Sequence, residues 1–179
     1  MKSMRITGGK YRGRQVRCPK GIIRPAMARM REALFSILGD ISAVSFLDLF
    51  SGSGLVGLEA ASRGASPVVL VESDRKKRPV ICTNMAMVET EIILRMQPAE
   101  RFVRSCRETY QIIYADPPFS WPKKRALLVE ISERGIVEDE GILIIHHPKH
   151  DDPGEDLGAM GLSDRRTYGH SILSFYRKR

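Results

Sequence analysis

Apolar residues fall into short runs separated by polar, glycine-punctuated stretches, and the period of the runs changes along the chain. Arg5 to Val16 is short, glycine-rich and partly alternating, which predicts a small β-hairpin or extended arm. Met30, Ala33, Leu34, Ile37 and Leu38 recur at helical spacing, opened by Pro25 and stopped by Gly39. Strand-like and helix-like runs then alternate. Val44 to Leu49 reads as a strand, Leu55 to Arg63 as a helix, Pro67 to Glu72 as a strand and Arg75 to Met87 as a helix. Glu91 to Met96 is the next strand, with a short helix over Ala99 to Arg107, a strand over Gln111 to Ala115 and a helix over Lys123 to Arg134. Gly141 to Ile145 is a further strand. After a polar loop, Lys149 to Gly158, the runs Leu162 to Thr167 and Ser171 to Arg177 predict a terminal antiparallel pair. Apolar strands without strict alternation suit a sheet covered by helices on both faces, so the fold class is α/β.

The 179 residues, 42% hydrophobic and 28% charged, suffice for one full core. They exclude wholesale disorder and a disulfide-built mini-protein. No window approaches the length of apolar residues that spans a bilayer, and the basic opening lacks the apolar segment of a secretory signal. Cys18, Cys82 and Cys106 lie far apart, which suits reduced thiols and a cytoplasmic protein and argues against a zinc site. The net charge of +8 is unevenly spread. Residues 1–31 hold ten basic side chains and no acidic one, residues 32–162 hold 14 basic against 20 acidic, and residues 163–179 hold five basic and one acidic. The division expected is a basic arm over residues 1–24 and one α/β domain over residues 25–179. Cations at the start of the first helix gain nothing from its dipole, so Arg24, Arg29 and Arg31 make better sense beside an anionic ligand.

Two stretches carry chemistry. Asp48-Leu-Phe-Ser-Gly-Ser-Gly-Leu-Val-Gly57 places a GxGxxG pattern between a hydrophobic strand and a helix start, where backbone can approach a nucleotide-like ligand. Glu72 ends the following strand, where a carboxylate can accept ribose hydroxyls. Hydride-transfer chemistry finds no His, Lys or Tyr constellation near the strand ends. S-adenosylmethionine is cationic, and Asp48 at the tip of its strand is an acid positioned to meet that charge, which favours the methyl donor. The second stretch, Asp116-Pro117-Pro118-Phe119, is stiffened by its prolines just beyond a strand. Phe119 offers a stacking face, and Asp116 with the Pro117 carbonyl can accept from an exocyclic amine. N-methylation of a base needs that amine held in line and its developing charge accepted.

With these residues the sequence resembles the bacterial RsmD family of 16S rRNA guanine-N2 methyltransferases. The resemblance runs from Arg5-Ile-Thr-Gly-Gly-Lys-Tyr-Arg-Gly-Arg through Arg24-Pro-Ala-Met-Ala-Arg-Met-Arg-Glu-Ala-Leu-Phe. It continues through the Asp48 loop, Ser62-Arg-Gly-Ala, Glu72-Ser-Asp74 and Asn84 to Asp116-Pro-Pro-Phe119. It implies a Rossmann-like class I S-adenosylmethionine-dependent methyltransferase that modifies N2 of guanine 966 in the assembled or partly assembled small subunit. Carried onto this chain, Asp48, Phe50, Ser51, Gly52, Ser53, Gly54, Glu72 and Ser73 line the cofactor. Asp116 to Phe119 hold the guanine, and Arg5, Lys10, Arg12, Arg14, Arg24, Arg29 and Arg31 grip rRNA. Where the family carries an acidic or amide residue near adenine, this chain has Met96-Gln97-Pro98-Ala99, so Gln97 or a backbone amide next to Ala99 is the expected contact. The protein is expected to be a monomer without membrane attachment. A DNA adenine-N6 methyltransferase and a non-catalytic assembly factor on the same fold are the alternatives. Adjacent His146 and His147 point to opposite faces of an extended strand and cannot readily share a metal, and His147 is the one expected near the cleft. Trp121 is expected either to assist stacking or to pack.

Overall fold

The computed structural model describes residues 2–18 and 25–179. The elements are β1 (Lys2–Arg5), β2 (Gln15–Cys18), α1 (Pro25–Leu38), β3 (Phe46–Leu49), α2 (Leu55–Ser62), β4 (Val68–Glu72) and, after a 3-10 turn at Arg75–Lys77, α3 (Arg78–Met85). Then come β5 (Ile92–Met96), α4 (Ala99–Ser105), β6 (Tyr110–Ala115), α5 (Lys124–Arg134), β7 (Val137–Pro148), β8 (Met160–Tyr168) and β9 (Ser171–Lys178). Seven strands form one sheet in the order β5-β4-β3-β6-β7-β9-β8. The first five of these run parallel, and β9 pairs antiparallel with both β7 and β8. This is the Rossmann-like arrangement, closed at one edge by the terminal pair.

Strand alternation divides the core into two layers. Phe46, Leu70, Ile112, Tyr114, Ile142 and Ile144 face α1, α2 and α3. Leu47, Leu49, Val69, Val71, Ile113 and Leu143 face α4 and α5. Helix α2 lies close to the sheet because Gly57 has no Cβ; one built there would collide with Leu70.

Two elements differ from the sequence pattern for identifiable reasons. The expected helix from Arg75 divides into a 3-10 turn, capped by the Asp74 side chain, and α3, which has Pro79 in its first turn. Strand β7 extends well beyond Gly141 to Ile145 in both directions. Its amino end pairs Val137 with Tyr110 across a register shift that absorbs the polar Glu138, Asp139 and Glu140, and its carboxyl end pairs with β9 through Pro148. Pairing partners, not periodicity, set those ends.

The amino-terminal hairpin also shifts. Its strands flank the span read from the sequence, and residues 6–14 form the connection. That connection sends Ile6 and Tyr11 into the core with Val16 of β2, each at most 1% exposed. Glu59 of α2, fully buried, fastens it. Its carboxylate accepts from the Thr7 amide at 2.9 Å, the Thr7 hydroxyl at 2.6 Å and the Gly8 amide at 3.0 Å. Arg63 contributes a 3.0 Å ion pair and Arg31 a 3.6 Å one. Tyr11 hydroxyl meets Thr90 at 2.8 Å, tying the same loop to the segment before β5. Removing the acid would strand two cations, two amides and the Thr7 hydroxyl in the interior. Glu59→Ala is therefore expected to lower unfolding free energy by about 3–5 kcal/mol in urea titration. The Thr7 and Gly8 amides should lose their hydrogen-exchange protection together.

Candidate active site

Parallel strands release their loops at one edge of the sheet, and a cleft opens there where β3 and β6 diverge to their two sides. The β3–α2 loop forms one wall. Phe50 takes φ 64°, a conformation that costs a non-glycine residue about 1–3 kcal/mol, and Gly52 and Gly54 follow at φ 58° and 79°. Ser51 amide donating to Val71 carbonyl at 2.9 Å and Gly54 amide to Ser51 carbonyl at 2.7 Å hold that shape. Glu72, at the end of β4, accepts from Gly52 amide at 2.8 Å, Asp74 amide at 2.9 Å and Lys77 at 3.2 Å. A carboxylate has about four acceptor positions, so one remains for a ligand hydroxyl. Ser73 beside it is exposed.

The opposite wall is the turn after β6. Asp116 amide donates to Leu49 carbonyl at 3.1 Å and Trp121 amide to Pro118 carbonyl at 2.8 Å, closing the turn. Phe119 stands 37% exposed, one of two large apolar side chains so placed among the described residues. Two cavities, of about 210 and 390 Å³, share Met27, Phe50, Gly52 and Asp116 in their walls. The smaller is also lined by Ser51, Ser53 and Arg31, and the larger by Pro117, Pro118, Phe119 and His146. Ser51 Oγ is buried without a hydrogen-bond partner among the described residues. An unsatisfied hydroxyl on a residue of this cavity wall fits a polar ligand such as the amino-acid end of S-adenosylmethionine.

Several expected residues lie elsewhere. Asp48 does not open on the cleft. It shares its face of β3 with Phe46, is 1% exposed and accepts from Gly57 amide at 3.0 Å, so it ties α2 to the sheet. Burial pushes its carboxyl well above the ordinary range, opposed by the Gly57 bond and aided by the Asp116 and Glu72 charges. Arg31, expected at an RNA surface, is withdrawn into the protein by Glu59 and by donating to Arg5 carbonyl at 3.1 Å. Gln97 lines a separate cavity of about 520 Å³ with Ser45, Ser66 and Gln111, near the amino ends of the strands. Ala99 is buried at the start of α4. Arg24 falls outside the described residues. His147 is fully buried: Nδ1 donates to Pro148 carbonyl at 3.0 Å and Nε2 accepts from Ser174 hydroxyl at 2.8 Å, and burial lowers its pKa. His146, not the expected His147, lines the cleft. Trp121 packs edge-on against Phe50, centroids 5.0 Å apart.

Lys124 was not foreseen. Only 1% exposed, it donates to Phe119 carbonyl at 2.7 Å, Trp121 carbonyl at 2.6 Å and Asp151 carboxylate at 2.6 Å. Its one sequence signal is a pair of lysines at a helix start, where the dipole disfavours them.

A model of the family described as "Conserved hypothetical protein 95" matches residues 4–177. The chain belongs to that family. Among members and relatives, the "Putative rRNA methyltransferase YlbH" of Bacillus subtilis is 31% identical, covering 98% of this chain and 100% of that one. The "Ribosomal RNA small subunit methyltransferase D" of Escherichia coli K12 is 33% identical over 79% of this chain and 73% of its own. The solved "Putative methyltransferase yhhF from Escherichia coli" superposes with a TM-score of 0.87 at 27% identity, covering 99% of both chains. This Conserved hypothetical protein 95 member has the class I fold and is an S-adenosylmethionine-dependent methyltransferase.

Three variants test the residues behind the walls. Because burial raises the Asp48 pKa, the folded state binds more protons than the unfolded one. That contribution is full below the ordinary value of 3.8 and is lost as pH rises through the folded pKa. Asp48→Asn, which can still accept from Gly57, should therefore show a weaker fall in stability from pH 5 to pH 8 than the native chain, by thermal unfolding at both values. Lys124→Met keeps the stem but strands two carbonyls. It should cost about 1–3 kcal/mol per unpaired group and slow methyl transfer, whereas Asp151→Asn, at a 41% exposed side chain, should cost much less.

Proposed function

We propose that the protein transfers a methyl group from S-adenosylmethionine to the exocyclic N2 of guanine 966 of 16S rRNA, acting in the cytoplasm as a monomer on an assembled or partly assembled small ribosomal subunit. The observation that carries this reading is the cleft in which the Asp116 carboxylate and the exposed Phe119 ring face the glycine loop and Glu72. The relatives' names add support, since two of them are named as rRNA methyltransferases and one of those names specifies the small subunit.

When bound, the cofactor supplies an electrophilic methyl on a positively charged sulfur. Glu72 accepts ribose hydroxyls, and the Gly52–Gly54 backbone lets the ligand approach. Ser51 meets the polar end of the amino-acid moiety. Phe119 stacks on the guanine, returning about 1–3 kcal/mol of the few kcal/mol needed to turn a base out of folded RNA. The Pro117 carbonyl and Asp116 accept the two N–H groups of the amine and aim its lone pair at the methyl carbon. Once the amine has taken up the methyl that the cofactor would supply, leaving its sulfur neutral, the nitrogen would give one proton to Asp116, which would release it to water. No base need act before attack.

The arm supplies the grip on RNA. Arg5, Arg12 and Arg29 are exposed and form no ion pair among the described residues. Lys10 is held only by the exposed Glu89, and Arg14 lies over the Tyr11 ring while donating to Met87 carbonyl. Phosphate can compete for such solvated contacts.

The test uses small subunits from a strain lacking the modification, labelled S-adenosylmethionine and mapping of the methylated nucleotide. Asp116→Ala and Phe119→Ala should each lower kcat by about 100-fold or more, while calorimetric affinity for S-adenosylmethionine stays within a few-fold of native. Label entering duplex DNA but not subunits, or a large loss of cofactor binding in either variant, would overturn the assignment.

A further inference from the structure

We infer that His146 is the positioning residue for Asp116, an inference that rests on the reading of Asp116 and Phe119 as the pair that holds the base. Strands β6 and β7 are parallel neighbours with Ala115 opposite Ile145, so the next residue along each strand's path sets Asp116 beside His146. The ring is 3% exposed and its Nδ1 lies 2.8 Å from Asp116 Oδ1. An ionised carboxylate only accepts, so the hydrogen in that bond belongs to Nδ1. The neutral ring then carries a lone pair on Nε2, which is buried and has no partner among the described residues.

An unsatisfied buried nitrogen destabilises the fold, and for packing alone an apolar residue would serve better. What His146 offers is its two contacts. Donation to Oδ1 fixes the orientation of the Asp116 carboxylate and leaves Oδ2 to receive the amine hydrogen and then its proton. The same ring meets Phe119 edge-on, centroids 5.0 Å apart at 71°. One buried ring thus braces both the acceptor and the stacking face. In this reading His146 acts through Asp116 and Phe119, the two residues that meet the base.

Three His146 variants and a pair of nitrogen-15 spectra test this. His146→Phe keeps a ring against Phe119 and removes the donor; kcat on small subunits should fall by about 100-fold, as expected when a reacting group is misplaced by an ångström, with KM changed less than three-fold. His146→Asn keeps a donor near the Nδ1 position and should recover to within about ten-fold of native, whereas His146→Ala should resemble the phenylalanine variant or be slower. Thermal unfolding of His146→Phe at or above the native midpoint would show that the loss is not one of folding. Independently of any substrate, nitrogen-15 spectra of the labelled native protein should place the ring proton of His146 on Nδ1, and Asp116→Ala should move it to Nε2. Native kcat in His146→Phe, an asparagine variant no better than alanine, or a proton on Nε2 in the native protein would each overturn the inference. Failure of the native protein to methylate any small subunit would overturn the substrate reading instead, and the nitrogen-15 spectrum would still decide the role of His146.

Discussion

Glu59 is a carboxylate without access to water, and the wall of the cleft depends on what it holds. An isolated buried charge of this kind would be expelled or neutralised, so it persists because Thr7, Gly8, Arg31 and Arg63 surround it with donors. Those partners come from the hairpin connection, from α1 and from α2 itself. One side chain therefore fixes three elements that parallel sheet pairing leaves untouched. The hairpin cannot swing as a loose tail, because Ile6 and Tyr11 enter the same core as Leu58 and Ala61. Nor can Arg31 leave α1 for a surface phosphate without abandoning Glu59. The result is a basic arm set rigidly alongside the cleft.

Charge placement follows from this arrangement. The C-terminal ribbon is basic in sequence but largely self-compensated in space: Arg165 meets Asp152, Arg166 meets Asp164, Lys178 meets Asp139 and Arg179 meets Asp156. Exposed pairs of this sort contribute little stability, but they reduce the field that the ribbon presents to an anion. Among the described residues, the exposed Arg5, Arg12 and Arg29 have no comparable acids, so positive potential is concentrated on the hairpin and α1. In the cleft the balance reverses. Glu72 beside the glycine loop and Asp116 in the proline turn are both acids, which favours a positively charged ligand between them.

The two walls are held differently. The glycine loop is strained at Phe50 and held by backbone bonds to β4, as suits a surface that must follow a ligand closely. The proline turn is fixed from behind by Lys124 and from the side by His146, both buried and both outside the DPPF tetrapeptide. Its tip, Phe119, is left open to solvent while its base is immobile. That combination presents an aromatic face at small entropic cost on binding.

Element order, the glycine loop, Glu72 and the proline turn were legible in the sequence, because each is a local signal: a run of apolar residues, a turn composition, an acid at a strand end. Hairpin boundaries and the ends of β7 were not, because pairing partners far along the chain decide where a strand stops. The same holds for side chains. Asp48 reads as the tip of a strand, but alternation and the approach of Gly57 turn it into the core. Arg31 reads as part of a basic arm, and only Glu59, on another helix, withdraws it. Of two adjacent histidines, strand parity says that they part company, but which one meets Asp116 depends on the β6–β7 register. Lys124 is one lysine among many until three acceptors from two loops converge on it. Composition and local periodicity determined what kind of protein this is; the burial of a few charged groups, set by contacts distant in sequence, decided which residues serve the site and which hold it in place.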